Sequence, residues 1–133
     1  MTTTVEKTSV AADMAFLIVD DEPDICWSME RILTKAGFRA LVAGSGDEAL
    51  EFAKQAPFAL AFVDAKLPDI EGIELVKQLQ QIQPGLSVML ISGYFYEDDP
   101  QVQQWMKDGL IRGFISKPFS LDQVRKAARD LKS

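Results

Sequence analysis

Phe58-Ala59-Leu60-Ala61-Phe62-Val63-Asp64-Ala65-Lys66-Leu67-Pro68-Asp69-Ile70-Glu71-Gly72 is the stretch on which the fold turns. It opens as a short apolar run, stops on one carboxylate, Asp64, and is then broken by Pro68 and Gly72. A buried strand that ends on aspartate puts a charge at the mouth of a sheet. In open α/β sheets ligands bind at that mouth, outside the carboxyl ends of the strands. On this stretch alone a binding site and a plain turn are both open, because aspartate often begins turns. Other strands decide between them by what they deliver to the same edge.

Upstream, Ala15-Phe16-Leu17-Ile18-Val19 is a continuous apolar run that meets Asp20-Asp21. Such a run predicts a strand buried on both faces. Pro23 then stands at a helix start. Ile25, Met29, Ile32, Leu33 and Ala36 keep helical spacing up to Gly37. Phe38 to Ala43 predicts a second strand, and Gly44-Ser45-Gly46-Asp47 a turn. Ala49, Leu50, Phe52 and Ala53 mark a short helix that stops before Pro57. Downstream, a helix is predicted from about Ile70 to Gln83, with Ile73, Leu75, Val76, Leu79 and Ile82 inward. Leu86 to Ile91 reads as a strand before Ser92-Gly93. A helix after Pro100 ends near Gly109, and Leu110 to Ser116 reads as the fifth strand, broken by Lys117-Pro118. Ser120 caps a last helix on which Leu121, Val124, Ala128 and Leu131 share a face.

The pattern is β-α five times. The strand ends fall near positions 20, 43, 64, 91 and 116. Each interval holds one helix and short loops, so the strands can run parallel through right-handed crossovers. Parallel strands bring Asp20, Asp21, Asp64, Ser92 and Lys117 to one edge.

Composition bounds the function. The 133 residues make one domain with 47% apolar and 26% charged residues. The net charge is −6, and no basic cluster is present to neutralise phosphates, so direct nucleic-acid binding is not expected. The chain has no histidine, which excludes histidine triads and histidine metal sites. The single cysteine, Cys26, cannot form an internal disulfide, which fits a reducing, cytoplasmic setting. No apolar run is long enough to span a membrane. Residues 1–13 are Thr- and Ser-rich and read as a flexible leader before a domain over residues 14–133.

From Ala15 onward the chain resembles the receiver domain of bacterial two-component response regulators. The resemblance rests on Asp20-Asp21 after strand one, Asp64 after strand three, Ser92 after strand four, Lys117 before Pro118 after strand five, and Gly72 near the start of helix three. It implies a flavodoxin-like (βα)5 fold, a doubly wound parallel sheet in strand order 2-1-3-4-5. It implies a phosphoacceptor switch, with Asp64 taking a phosphoryl group from a histidine kinase or phosphotransfer protein. Three close carboxylates need a hard cation between them, and Mg²⁺ suits oxygen ligands and bridges to phosphate. By resemblance Asp21, Asp64 and the Lys66 carbonyl oxygen hold it directly, and Asp20 acts mainly through water. Lys117 supplies charge and Ser92 a hydroxyl hydrogen bond to the phosphoryl oxygens. The Lys117-Pro118 bond is expected cis. Ser92 and Phe114 form the implied switch pair, and phenylalanine there lacks a hydroxyl for output. Lys66 and Tyr94 occupy positions that tune dephosphorylation, and their bulk implies shielding and a long-lived phosphoryl group. The resemblance leaves a homodimer open and implies no separate enzymatic turnover. No output domain is read after the last helix, so the domain either works alone or is part of a longer regulator.

Rival readings remain. Gly44-Ser45-Gly46-Asp47-Glu48-Ala49 matches G-x-G-x-x-A between a strand and a helix, the pattern of a dinucleotide-binding turn. It follows the second strand instead of the first, and it leaves Asp20, Asp21, Ser92 and Lys117 unexplained. An aspartyl-phosphate phosphatase needs an acid where Lys66 stands. A receiver-like scaffold that is never phosphorylated is the third alternative. The rings of Tyr94, Phe95, Tyr96, Trp105 and Phe114 read either as a docking surface or as the domain's own core, and Trp27 is ambiguous in the same way.

Overall fold

Apolar runs without helical period form the sheet. β1 (Ala15–Val19), β2 (Ala40–Ala43), β3 (Phe58–Asp64), β4 (Ser87–Ser92) and β5 (Gly113–Ser116) alternate with α1 (Pro23–Lys35), α2 (Gly46–Gln55), α3 (Gly72–Ile82), α4 (Pro100–Lys107) and α5 (Leu121–Asp130). These elements come from a computed structural model that describes residues 14–130. The leader expected over residues 1–13 lies outside them, as does Leu131. All pairings are parallel and the order is β2-β1-β3-β4-β5, the flavodoxin-like arrangement expected.

Two layers of helices cover the sheet because strand residues alternate between its faces. Phe16 and Ile18 of β1 pack with Met29 and Leu33 of α1 and Val124 and Ala128 of α5. Leu17 and Val19 pack with Ala49 of α2, Leu75 and Leu79 of α3, and Trp105 of α4. β1 is therefore buried throughout, and β3 is buried but for the half-buried Ala59. No described helix is long and apolar enough to cross a membrane.

Several expectations shift at element ends. Strand pairing starts at Ala40 and Gly113, not at Phe38 and Leu110. Phe38 and Ile111 are nonetheless buried, in the turns leading into those strands. Ile82, expected inward, is exposed as the last residue of α3, and Leu121, expected to share a face with the buried Val124 and Ala128, is exposed as the first residue of α5. Trp27 is also exposed and carries the Arg31 guanidinium 4.9 Å from its ring centre, so it is no part of the core. Phe95 and Trp105 do serve the core, ring on ring in an edge-to-face pair, while Tyr94 and Tyr96 are exposed.

A side-chain amide closes the α2–β3 loop. Gln83 donates to Ala53 O at 2.9 Å and Ala56 O at 2.7 Å, and accepts from Phe58 N at 3.0 Å. It serves backbone groups that no helix or strand partner reaches.

Candidate functional site

β1 and β3 are neighbours at the point where the strand order reverses, so their carboxyl ends deliver aspartates side by side. Asp20 and Asp64 are buried, whereas Asp21 is exposed. One carboxylate oxygen from each of the three lies within 4.8 Å of the others. Lys117 follows β5 across a cis bond to Pro118, as expected. Its Nζ stands 2.9 Å from Asp20 Oδ2, 2.8 Å from Glu22 Oε1 and 3.5 Å from Asp64 Oδ1. The Asp20 contact is an ion pair off the hydrogen-bonding direction, and no described donor satisfies that buried oxygen. Asp20 Oδ1 accepts from Glu22 N at 2.9 Å.

The fourth strand contributes Ser92, which is fully buried. Its Oγ accepts from Tyr94 N and Phe95 N, both at 2.8 Å, and so ties down the loop that follows β4. Lys66 sits on the opposite rim, 3.4 Å from Glu71 and 4.5 Å over the Tyr94 ring. Phe114 lies buried on β5, in the core layer that includes Leu90 and Trp105. Asp20, Asp21, Asp64, Lys66, Ser92, Tyr94 and Lys117 thus converge on one edge, with Phe114 beneath it. A cavity of about 340 Å³ opens there, lined by Asp64, Ser92 and Lys117 among others.

Charge and burial set the protonation states. Burial, and then the nearby Asp20 charge, push the Asp64 carboxyl up to about 6, against the pull of Lys117 and the Lys66 main-chain N–H. Burial lowers the proton affinity of Lys117, but its contacts with Glu22 and Asp20 outweigh that, and the net shift is upward. The ammonium therefore stays charged. Cys26 is buried under the site and donates to Asp20 O at 3.1 Å. Burial, with Asp20 and Asp21, pushes its thiol up to about 11, so it is not a thiolate near neutral pH.

The donor set fits a hard divalent cation. It is all oxygen, carries three negative charges against one lysine, and includes a buried carboxylate oxygen with no hydrogen-bond donor.

Local folding holds this edge in place. Gly72 opens α3 directly behind Asp64, and its N–H donates to Ala65 O at 2.8 Å. A Cβ at residue 72 would fall 2.3 Å from Asp64 O, so only glycine lets α3 approach so closely. The Gly44–Ala49 turn is used differently from a nucleotide loop. The Gly46 and Asp47 amides at the α2 N-terminus donate to the two carboxylate oxygens of Asp69, at 2.9 and 3.0 Å. Those bonds hold the Asp69 carboxyl below its usual range. An anion from the chain itself fills the position a pyrophosphate needs.

Sequence reasoning missed Glu22, Glu71 and Asp69. Each makes its contact through the folded chain, and the one local signal for Glu22 is the run of acids around Pro23.

The comparisons with known proteins agree with this fold. A family model described as the response regulator receiver domain matches residues 16–129. Sporulation initiation phosphotransferase F of Bacillus subtilis (strain 168) is 29% identical over 113 residues, covering 85% of this chain and 89% of that protein. Other curated relatives are longer: the chain spans 44% of a receiver protein from Anaeromyxobacter and 25% of the Rhizobium meliloti regulator DctD. Among solved structures, a CheY-like receiver domain protein from Methanospirillum hungatei JF-1 matches with a TM-score of 0.79 at 29% identity, over 90% of this chain and 94% of that one. A response regulator protein from Burkholderia pseudomallei, solved with a phosphorylated aspartic acid, calcium ion and citrate, matches with a TM-score of 0.75 at 26% identity, over 90% and 71%. With the fold, the acidic edge and these matches in agreement, the chain belongs to the response regulator receiver domain family.

Proposed function

We propose that this receiver domain is a phosphoacceptor switch in which Asp64 takes a phosphoryl group from a histidine kinase or phosphotransfer protein. The observation that carries the reading is the placement of Asp64 at the sheet edge, with Asp20 and Asp21 on one side and Lys117 3.5 Å away. The phosphorylated aspartic acid in the Burkholderia pseudomallei relative supports it.

An Asp64 oxygen attacks phosphorus as the bond to the donor breaks, and the donor leaves with the electron pair. Above pH 6 the Asp64 carboxyl is mostly ionised and ready to attack. Lys117 offers charge to a phosphoryl oxygen, and Ser92 turns its hydroxyl toward another. Asp20, Asp21, Asp64 and the Lys66 carbonyl oxygen would hold Mg²⁺, which neutralises phosphoryl charge when bound. Phe114 repacks behind Ser92, and the altered face signals to a downstream protein or output domain. Lys66 and Tyr94 shield the acyl phosphate from water. The domain works as a cytoplasmic switch, not as a turnover enzyme.

Acetyl phosphate tests this. Intact mass should show one added phosphoryl group that requires Mg²⁺ and is lost in Asp64→Asn. No adduct with any donor would leave a scaffold.

A further inference from the structure

Glu22 has no role in the reading above, yet it makes the shortest contact to Lys117. It stands at the N-terminal boundary of α1, where a side chain commonly caps the helix, and it makes no such bond. Its main chain is pinned on both sides: Glu22 N donates to Asp20 Oδ1, and Glu22 O accepts from Cys26 N at 3.1 Å. The carboxylate reaches out instead to Lys117 Nζ at 2.8 Å, across 95 residues of sequence. Lys117 is mostly buried, while Glu22 is solvent-facing. The ammonium is therefore drawn toward the β1 side, and its contact with Asp64 is the longest of its three. Glu22 also lines the mouth of the cavity over Asp64, beside Asp21.

We propose that Glu22 is a positioning residue that restrains Lys117 in the resting protein and opposes the arrival of an anionic phosphodonor. The inference rests on Asp64 being the phosphoacceptor. A phosphoryl group entering over Asp64 competes with Glu22 for the same ammonium. It also meets an added negative charge at the cavity mouth, and like charges disfavour close approach. Both effects act on donor association. Neutralising Glu22 therefore tightens use of a small anionic donor more than it alters the maximal rate.

The test compares the full chain with Glu22→Gln, which keeps the shape and removes the charge, and Glu22→Asp, which keeps the charge. Initial rates of Asp64 phosphorylation are measured against acetyl phosphate concentration in saturating Mg²⁺, at low and high salt. The bond to Asp64 forms as the phosphorus–oxygen bond to acetate breaks and acetate departs. Glu22→Gln should lower the half-saturating donor concentration by about threefold at low salt, the size expected of a solvent-facing ion pair. High salt should shrink the difference, and Glu22→Asp should behave like the parent. A second arm needs no phosphorylation: with EDTA present, acetic anhydride should acetylate Lys117 faster in Glu22→Gln, scored by peptide mass.

An unchanged or raised half-saturating concentration in Glu22→Gln, with the parent fully labelled, overturns the restraint and leaves Asp64 as acceptor. No labelling of the parent overturns the acceptor reading, and the acetylation arm then decides on Glu22 alone. Equal acetylation in parent and variant overturns the restraint in either case.

Discussion

The Phe95 main-chain amide donates to the buried hydroxyl oxygen of Ser92 at 2.8 Å, and the Phe95 ring meets Trp105 edge to face at 5.5 Å between centres. One loop residue thus connects the sheet edge to α4. We propose that on phosphorylation the Ser92 side chain rotates toward a phosphoryl oxygen, which would carry its Oγ away from Tyr94 N and Phe95 N. Two loop amides then lose their buried acceptor, and the Phe95–Trp105 pair loses its anchor. We expect the fluorescence of Trp105, read in a Trp27→Phe background, to change when acetyl phosphate and Mg²⁺ are added. Ser92→Ala should still accept the phosphoryl group but lose most of that change. An equal response in Ser92→Ala would separate the loop from the switch.

Gly72 is what lets α3 approach Asp64 so closely. A methyl group there falls 2.3 Å from Asp64 O and 2.8 Å from the Ala65 Cα, both main-chain atoms that cannot swing aside. Gly72→Ala must shift either α3 or the end of β3. The expected cost is about 1–3 kcal/mol by denaturant unfolding, as for other overpacked sites. Acetyl phosphate labelling should fall more than tenfold, since small displacements at a reacting centre are costly. Labelling at the parent rate would mean that the edge absorbs the shift.

What was legible in the sequence follows from what has a local signal. Apolar runs with no helical period placed β1 and β3, and the residues closing each strand placed Asp20, Asp64, Ser92 and Lys117. Parallel strands, read from the spacing of their ends, carried these to one edge without any knowledge of side-chain contacts, while the strand order came from the family resemblance. Phe38 and Ile111 misled at strand starts, because burial is set by neighbouring layers and extends beyond hydrogen-bonded pairing. Ile82 and Leu121 kept the period of a buried face but stand at helix termini and are exposed. Glu22 with Lys117, Asp69 with the α2 amides, and Gln83 with the α2–β3 loop pair residues 22 to 95 positions apart. No spacing rule in a single chain links them.

Asp64 also makes stability depend on pH. Its carboxyl stands at about 6 in the folded chain against 3.8 for an unperturbed group, chiefly through burial. The folded state therefore holds this proton more tightly than the unfolded state. The resulting stabilisation is fully present below 3.8 and is lost as pH rises through about 6. Above that, a buried ionised carboxylate beside Asp20 opposes folding. Asp64→Asn, measured in EDTA, should be more stable than the parent at pH 7.5 by about 1–3 kcal/mol. The advantage should shrink between pH 6 and pH 4. A difference that stays constant over this range would show that Asp64 titrates alike in both states.

Lys66 and Tyr94 close the outer rim of the site as a cation–ring pair, with the ammonium 4.5 Å from the ring centre and held from behind by Glu71 at 3.4 Å. Solvent-exposed pairs of this kind contribute only about 0.5–1 kcal/mol, so the pair itself adds little stability, but both side chains line the cavity that Asp64 faces. Hydrolysis of an aspartyl phosphate needs a water in line with the breaking bond, and we propose that the long cation and the ring, which both line the cavity with Asp64, keep it out. Lys66→Asn with Tyr94→Ala should shorten the phosphoryl half-life about tenfold or more, followed by intact mass after donor removal, with little change in melting temperature because both side chains are exposed. Glu71→Gln removes only the strut behind Lys66 and should give a smaller shortening. A half-life unchanged in the double variant would place control of water elsewhere, and the exposed Tyr94 ring would then be free for contact with a partner.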